Sequence, residues 1–202
     1  MRKIICIDRE YGSNGRIIGK ELARRLNINF YDHELIEKAT NMLKVKKDIL
    51  MKIDEKKHRP LLFETLFIDN DHTLGSDSIN DILFECQKRL IIEYAQKNDC
   101  IFIGRCAADI LRENTDYRVV NLFITAPLEY RIKNRMKIED KSKEEIIEIV
   151  KRKDKERQAY YEYHTGKDWS KPYNYDVILN SESLGIERTI AVLTEAFKKM
   201  EF

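Results

Sequence analysis

Ile4-Ile5-Cys6-Ile7-Asp8-Arg9-Glu10-Tyr11-Gly12-Ser13-Asn14-Gly15-Arg16-Ile17-Ile18-Gly19 passes from an apolar, β-branched run through a glycine-bearing turn into a helical pattern. Strand, glycine turn and helix start in that order make a phosphate cradle, in which backbone N–H groups and a helix N-terminus gather phosphate oxygens. The strict pattern Gly-x-x-x-x-Gly-Lys-[Ser/Thr] is not met. With Gly15 as its second glycine, Arg16 stands where the lysine belongs, Ile17 where the magnesium-holding hydroxyl belongs, and Glu10 at the first glycine. Gly12, Gly15 and Gly19 allow positive φ and close backbone approach. An ordinary strand-to-helix turn rich in glycine carries the same residues, so the loop alone leaves both readings open.

Outward from this loop, short β-branched runs alternate with longer helical patterns, which is the signature of a parallel sheet flanked by helices. Strands are expected at Lys3–Asp8, Asn29–Tyr31, Cys100–Ile103, Arg118–Thr125 and Asp176–Leu179. The first, third and fourth are nearly continuous apolar runs, as strands covered on both faces require. Helical stripes recur at Ile18, Leu22 and Leu26, at Cys86, Leu90 and Tyr94 within Asp77–Lys97, at Leu128, Ile132 and Met136, and at Ile186, Ile190, Leu193 and Phe197. Ser142 and Glu145 form a capping box that opens a helix running to about Tyr161. The segment Lys44–Ser78 follows no clear period; a flexible insertion over a substrate and a solvated helical hairpin fit it equally.

The 202 residues suit one domain over 1–202, and the charged residues, 36% of the chain, nearly cancel at +2. Nucleic-acid binding by bulk charge is not expected, and any basic site must be local. Cys6, Cys86, Cys100 and Cys106 have no metal-ligand spacing with one another or with the histidines and read as reduced thiols. No apolar run reaches the ~18 residues of a membrane span, so no membrane is expected and the cytoplasm is the default.

Several side chains fall where a ligand would lie. Gly104-Arg105 follows the third strand directly, at the carboxyl edge where such sheets bind ligands. Arg131 and Arg135 share one helix face and suit the spread charge of a phosphoryl group in transit, although a solvated basic face has the same spacing. Asp154, Arg157 and Tyr161 share another face, suited to a nucleotide lid or to a surface ion pair beside a packing tyrosine. Asp32, after the second strand, either caps the next helix or lies at the crevice. The aromatic run Tyr160–Trp169 is expected to dock on another element.

Taken together, Arg9–Ile36, Phe102–Arg112, Ala126–Met136, Asp154–Trp169 and Tyr175–Glu187 resemble the cytidylate kinase-like family, a branch of the P-loop nucleoside monophosphate kinases. The resemblance extends from Ile4 to about Ile190. It implies the three-layer α/β fold of P-loop NTPases, with a five-stranded parallel sheet, an acceptor-binding region over 32–78 and a lid over 138–170. It further implies transfer of the ATP γ-phosphoryl group to CMP or dCMP with Mg2+. By position, Gly12, Ser13, Asn14, Gly15 and Arg16 would cradle ATP. Asp32, Lys38, Arg105, Asp154 and Arg157 would meet the acceptor, and Arg16, Arg131, Arg135 and Arg157 would gather the phosphates in catalysis. No residue is assigned as a dedicated metal ligand; with Ile17 in the hydroxyl's place, magnesium would rely on Ser13, Asp8 or water. The family's acceptor segment reads Asp-[Ser/Thr]-Gly with an arginine further on, whereas Asp32 is followed by His33-Glu34 and Lys38 takes the arginine's place. A further lid arginine falls on Val150. A nucleotide-binding protein without turnover and a kinase for another small acceptor therefore remain alternatives. The partners are nucleotide substrates, and Lys44–Ser78 could supply a homodimer contact.

Overall fold

The computed structural model describes residues 2–32, 76–112 and 116–199. Strand β1 (Arg2–Arg9) lies at the centre of a parallel sheet of order β2-β3-β1-β4-β5, with β2 at Asn29–Tyr31, β3 at Cys100–Ile103, β4 at Tyr117–Thr125 and β5 at Val177–Asn180. The pleat explains why its apolar run is unbroken: successive side chains enter opposite faces, and both faces are covered. Ile4 and Cys6 join a core with Phe102, Ile91 and Leu111. Ile5 and Ile7 join a second core with Ile18, Leu22, Ile103 and Phe197.

Helices α1 (Gly15–Leu26) and α7 (Ile186–Lys199) supply the second core, while α2 (Ser76–Lys97) and α3 (Ala107–Arg112) supply the first. The expected three-layer fold is thus realised. Helices α4 (Leu128–Met136) and α5 (Lys143–Thr165) form a hairpin with a small core of Ile132, Ile146 and Val150. The capping box is formed: the Glu145 N–H donates to Ser142 Oγ at 3.2 Å, and the Ser142 N–H donates to Glu145 Oε2 at 2.8 Å. A one-turn helix, α6 (Ser181–Leu184), follows β5. No helix among the described residues is long and apolar enough to cross a membrane.

Boundaries differ from the periodicity where side chains override it. β5 begins at Val177 because the Asp176 carboxylate accepts from the Asn121 N–H at 2.7 Å, which holds Asp176 outside the strand. Helix α5 continues past Tyr161 to Thr165 because its aromatic end docks on α2. His164 stacks on Phe84 with centroids 3.8 Å apart, and the Tyr160 hydroxyl donates to Gln87 Oε1 at 3.2 Å. Lys38 and residues 44–75 of the expected insertion lie outside the described residues.

Candidate active site

The loop after β1 and the turn after β3 meet at the carboxyl edge of the sheet, where ligands of such folds bind. Of the three loop glycines, only Gly12 takes a positive φ, +85°; the other left-handed position is filled by Asn14, at φ 64°. Gly15 and Gly19 are required for clearance instead. A Cβ would come within 2.7 Å of Arg9 Cβ at Gly15 and 2.8 Å of Ile103 Cδ1 at Gly19. No side chain caps α1 at Asn14, so the first-turn N–H groups keep the anion-binding character of a helix N-terminus.

Glu10, at the first glycine's place, fastens the loop to β4. Its Oε2 accepts from Thr125 Oγ1 at 2.6 Å and from the Ala126 N–H at 3.1 Å. Ser13 is buried. Its hydroxyl donates to the Glu10 carbonyl at 2.9 Å, and its carbonyl accepts from Ser181 Oγ at 2.7 Å. The Ser13 side chain therefore braces the loop from within.

The turn after β3 holds three successive left-handed residues, Gly104, Arg105 and Cys106, at φ 67°, 63° and 54°. Two of them carry a Cβ, each at a cost of roughly 1–2 kcal/mol, so the surrounding structure must hold them there. The turn brings Arg105 against the ring of Tyr160, with Cζ 5.4 Å from the centroid. A Cβ on Gly104 would collide with Arg9 Nη1 and would stand 3.7 Å from Asp8 Oδ1, so both strand-end side chains flank this glycine.

Burial dominates the electrostatics. It raises the Asp8 carboxyl to about 6, with Arg9 opposing the shift. It lowers Arg9, against Asp8 and Asp32, while Arg105 and Arg16 add like charge. It also brings Arg157 down to about 9, helped by Arg9 alongside. Arg157 Nη1 donates to the Arg9 carbonyl at 2.8 Å. Arg16, whose side chain is largely exposed, turns to Asp32 and pairs with it through Nε.

The α4–α5 hairpin is tied to the loop through Tyr11. The Tyr11 N–H donates to Asp154 Oδ1 at 2.6 Å, its hydroxyl donates to Glu139 Oε1 at 2.9 Å, and its ring lies under the guanidinium groups of Arg135 and Arg157 at 4.6 and 5.4 Å. Arg131 is buried and bonded to Asp154, to the Ala126 carbonyl at 2.9 Å and to the Tyr11 carbonyl at 3.3 Å. Burial raises the Asp154 carboxyl despite these partners. Arg135 Nε donates to Glu139 at 2.6 Å.

The expected residues therefore fall into two groups. Gly12–Arg16, Asp32, Arg105 and Arg157 gather around Arg9 at the carboxyl edge of the sheet, whereas Arg131, Arg135 and Asp154 form the joint between loop and hairpin. Two residues escaped sequence reasoning. Arg9 had a signal, a charged residue ending the central strand directly before the glycine loop; Tyr11 had none, since its partners are distant in the chain. No group of three or more potential metal ligands occurs among the described residues. Magnesium bound with a nucleotide needs only one or two protein carboxylates beside phosphates and water, and Asp8 at the loop fits that requirement.

A central parallel strand, an uncapped helix behind a glycine loop, and arginines at the sheet's carboxyl edge define the P-loop NTPase class. Within it, the chain belongs to the cytidylate kinase-like family, whose family model matches residues 4–183. A crystal structure of an uncharacterized protein from Eubacterium ventriosum is similar with a TM-score of 0.72 at 22% identity, over 98% of this chain and 100% of that one. A protein of Thermus thermophilus, TT1252, gives 0.57 at 15% over 98% of each chain. Shikimate kinase from Bacteroides thetaiotaomicron gives 0.55 at 15%, over 97% of this chain and 98% of that one. These likenesses establish the shared fold. No curated protein matches the chain.

Proposed function

We propose that the protein is an ATP-dependent nucleoside monophosphate kinase acting on CMP or dCMP. The observation that carries this reading is the clustering of Arg16, Arg105 and Arg157 around Arg9 at the carboxyl edge of the sheet, beside the uncapped N-terminus of α1. Phosphoryl transfer needs alignment and positive charge more than covalent participation, and guanidinium groups match the phosphoryl oxygens. On this reading Gly12–Gly15 hold the ATP phosphates, and Arg105 and Arg157, with Asp32 and Lys38, receive the acceptor. Arg131, Arg135 and Asp154 carry closure of the 138–170 lid onto the loop. Magnesium, held by the nucleotide and Asp8, would neutralise phosphate charge. The test is ADP release with ATP and Mg2+ across the common nucleoside monophosphates. Saturation by CMP or dCMP is expected, with Arg105→Ala lowering turnover by about a hundredfold or more; no release above background with any acceptor would sink the proposal.

A second reading, nucleotide binding without turnover, is favoured by the Arg16–Asp32 pair, which engages the arginine in the lysine's place. Calorimetry showing CMP or ATP binding in a protein that releases no ADP would select it. A kinase for another small acceptor is the third outcome of the same panel, extended to phosphorylatable alcohols.

A further inference from the structure

The four guanidinium groups of the crevice are not equivalent. Arg16 is engaged by Asp32, Arg157 donates to a backbone carbonyl, and Arg105 rests against Tyr160. Among the described residues, no hydrogen bond or ion pair engages the Arg9 guanidinium. The charges that act on it are of both signs, Asp8 and Asp32 against Arg105 and Arg16, with Arg157 also alongside. The backbone of Arg9 is fixed by Arg157, and its stem lies against the Cα of Gly15, which has no room for a Cβ. The tip of the same side chain lies against Gly104, beside Arg105. Arg9 therefore reaches from the first residue of α1 to the turn that carries Arg105. A partly buried guanidinium whose N–H groups make no hydrogen bond keeps its donors available to an anion.

We propose that Arg9 is a phosphate-contacting residue, adding from the end of β1 a positive charge to a loop whose own Arg16 is engaged by Asp32. Its ligand class is the polyphosphate chain of a nucleotide, met between the Gly12–Gly15 loop and Arg105. The transfer role rests on the kinase reading above; the polyphosphate contact does not. In that transfer, the bond from the terminal phosphorus to the ADP oxygen breaks as one forms to an oxygen of the acceptor phosphate. Arg9 remains protonated and donates N–H bonds to the phosphoryl oxygens throughout.

The test uses inorganic tripolyphosphate as the probe, titrated calorimetrically into the full chain and into Arg9→Met, Arg9→Lys and Arg16→Met, with thermal unfolding of each unliganded protein. Arg9→Met should weaken binding about ten- to hundredfold, the value of a charge-assisted contact, with Arg9→Lys between it and the parent. Arg16→Met should weaken binding less than Arg9→Met does, because Asp32 already engages Arg16. Unliganded Arg9→Met should keep most of the parent's stability, since no hydrogen bond or ion pair is lost with the guanidinium and the loss of attraction to Asp8 and Asp32 is offset by relief of repulsion from Arg105 and Arg16. Several results would overturn the assignment: no tripolyphosphate binding by the parent, unchanged binding in Arg9→Met, a larger loss in Arg16→Met, or a marked loss of unliganded stability that makes Arg9 a structural cation. ADP-release assays on the same proteins separate the two proposals. Binding losses as expected without turnover in the parent would reject the kinase and keep Arg9. Turnover equal in parent and Arg9→Met would reject Arg9 and keep the kinase.

Discussion

The sheet and the α4–α5 hairpin are held by different forces. In the sheet, β1 and β3 bury every apolar side chain between two helical layers, so stability comes from hydrocarbon removed from water. In the hairpin, a core of three aliphatic residues is too small to fix its position, and Tyr11, Arg131 and Asp154 bind it to the loop with directed polar contacts. Hydrophobic packing makes a rigid floor. A joint of few hydrogen bonds can open at a lower cost than the packed sheet.

Ile7→Ala should have the largest effect, a loss of about 2–5 kcal/mol in chemical denaturation, because Ile7 is fully buried at the centre of the sheet. Arg131→Met should cost about 3 kcal/mol by leaving Asp154 partly buried without its cation. Hydrogen exchange should locate that loss in 128–165 while β1 and β3 stay protected; uniform loss of protection would mean that hairpin and sheet unfold as one unit.

Asp8 sharpens the contrast, because it is a charge set at the end of the hydrophobic floor. Its folded value, about 6, lies above the ordinary 3.8. The native state thus holds this proton more tightly than the unfolded chain does. The associated stability is complete below about pH 4 and is lost as pH rises through 6. Above that, ionised Asp8 costs up to about 3 kcal/mol, so Asp8→Asn should stabilise the protein at pH 7.5 by about 1–3 kcal/mol and leave it unchanged near pH 3.5. Thermal melts at the two pH values check the sign. The smallest effect belongs to Ser142→Ala, which removes half of the capping box and should cost about 1 kcal/mol, seen as faster exchange confined to the first turn of α5.

Legibility in the sequence followed the range of the interactions. Unbroken apolar runs marked β1, β3 and β4 as buried strands, and the Ser142–Glu145 signature marked the start of α5, because pleat and capping act between near neighbours. Strand ends were less legible where a side chain such as Asp176 reaches another element. The glycine loop was visible as a cradle, but its glycines looked alike, and only packing separates Gly12, which needs its conformation, from Gly15 and Gly19, which need their size.

The sequence by itself determined the layered α/β fold and the family, since both rest on local periodicity and on motifs in fixed order. Tertiary structure decided which arginines face the crevice and which are consumed in holding it together. Arg131 is spent on Asp154, Arg16 turns to Asp32, and the Arg9 guanidinium lies among charges of both signs without a hydrogen bond among the described residues. Tyr11 and Asp154 meet across 143 positions of chain. The physical reason is that a guanidinium's role depends on which carboxylate, carbonyl or cation the folded chain brings within a few ångströms of it, and no local spacing encodes that.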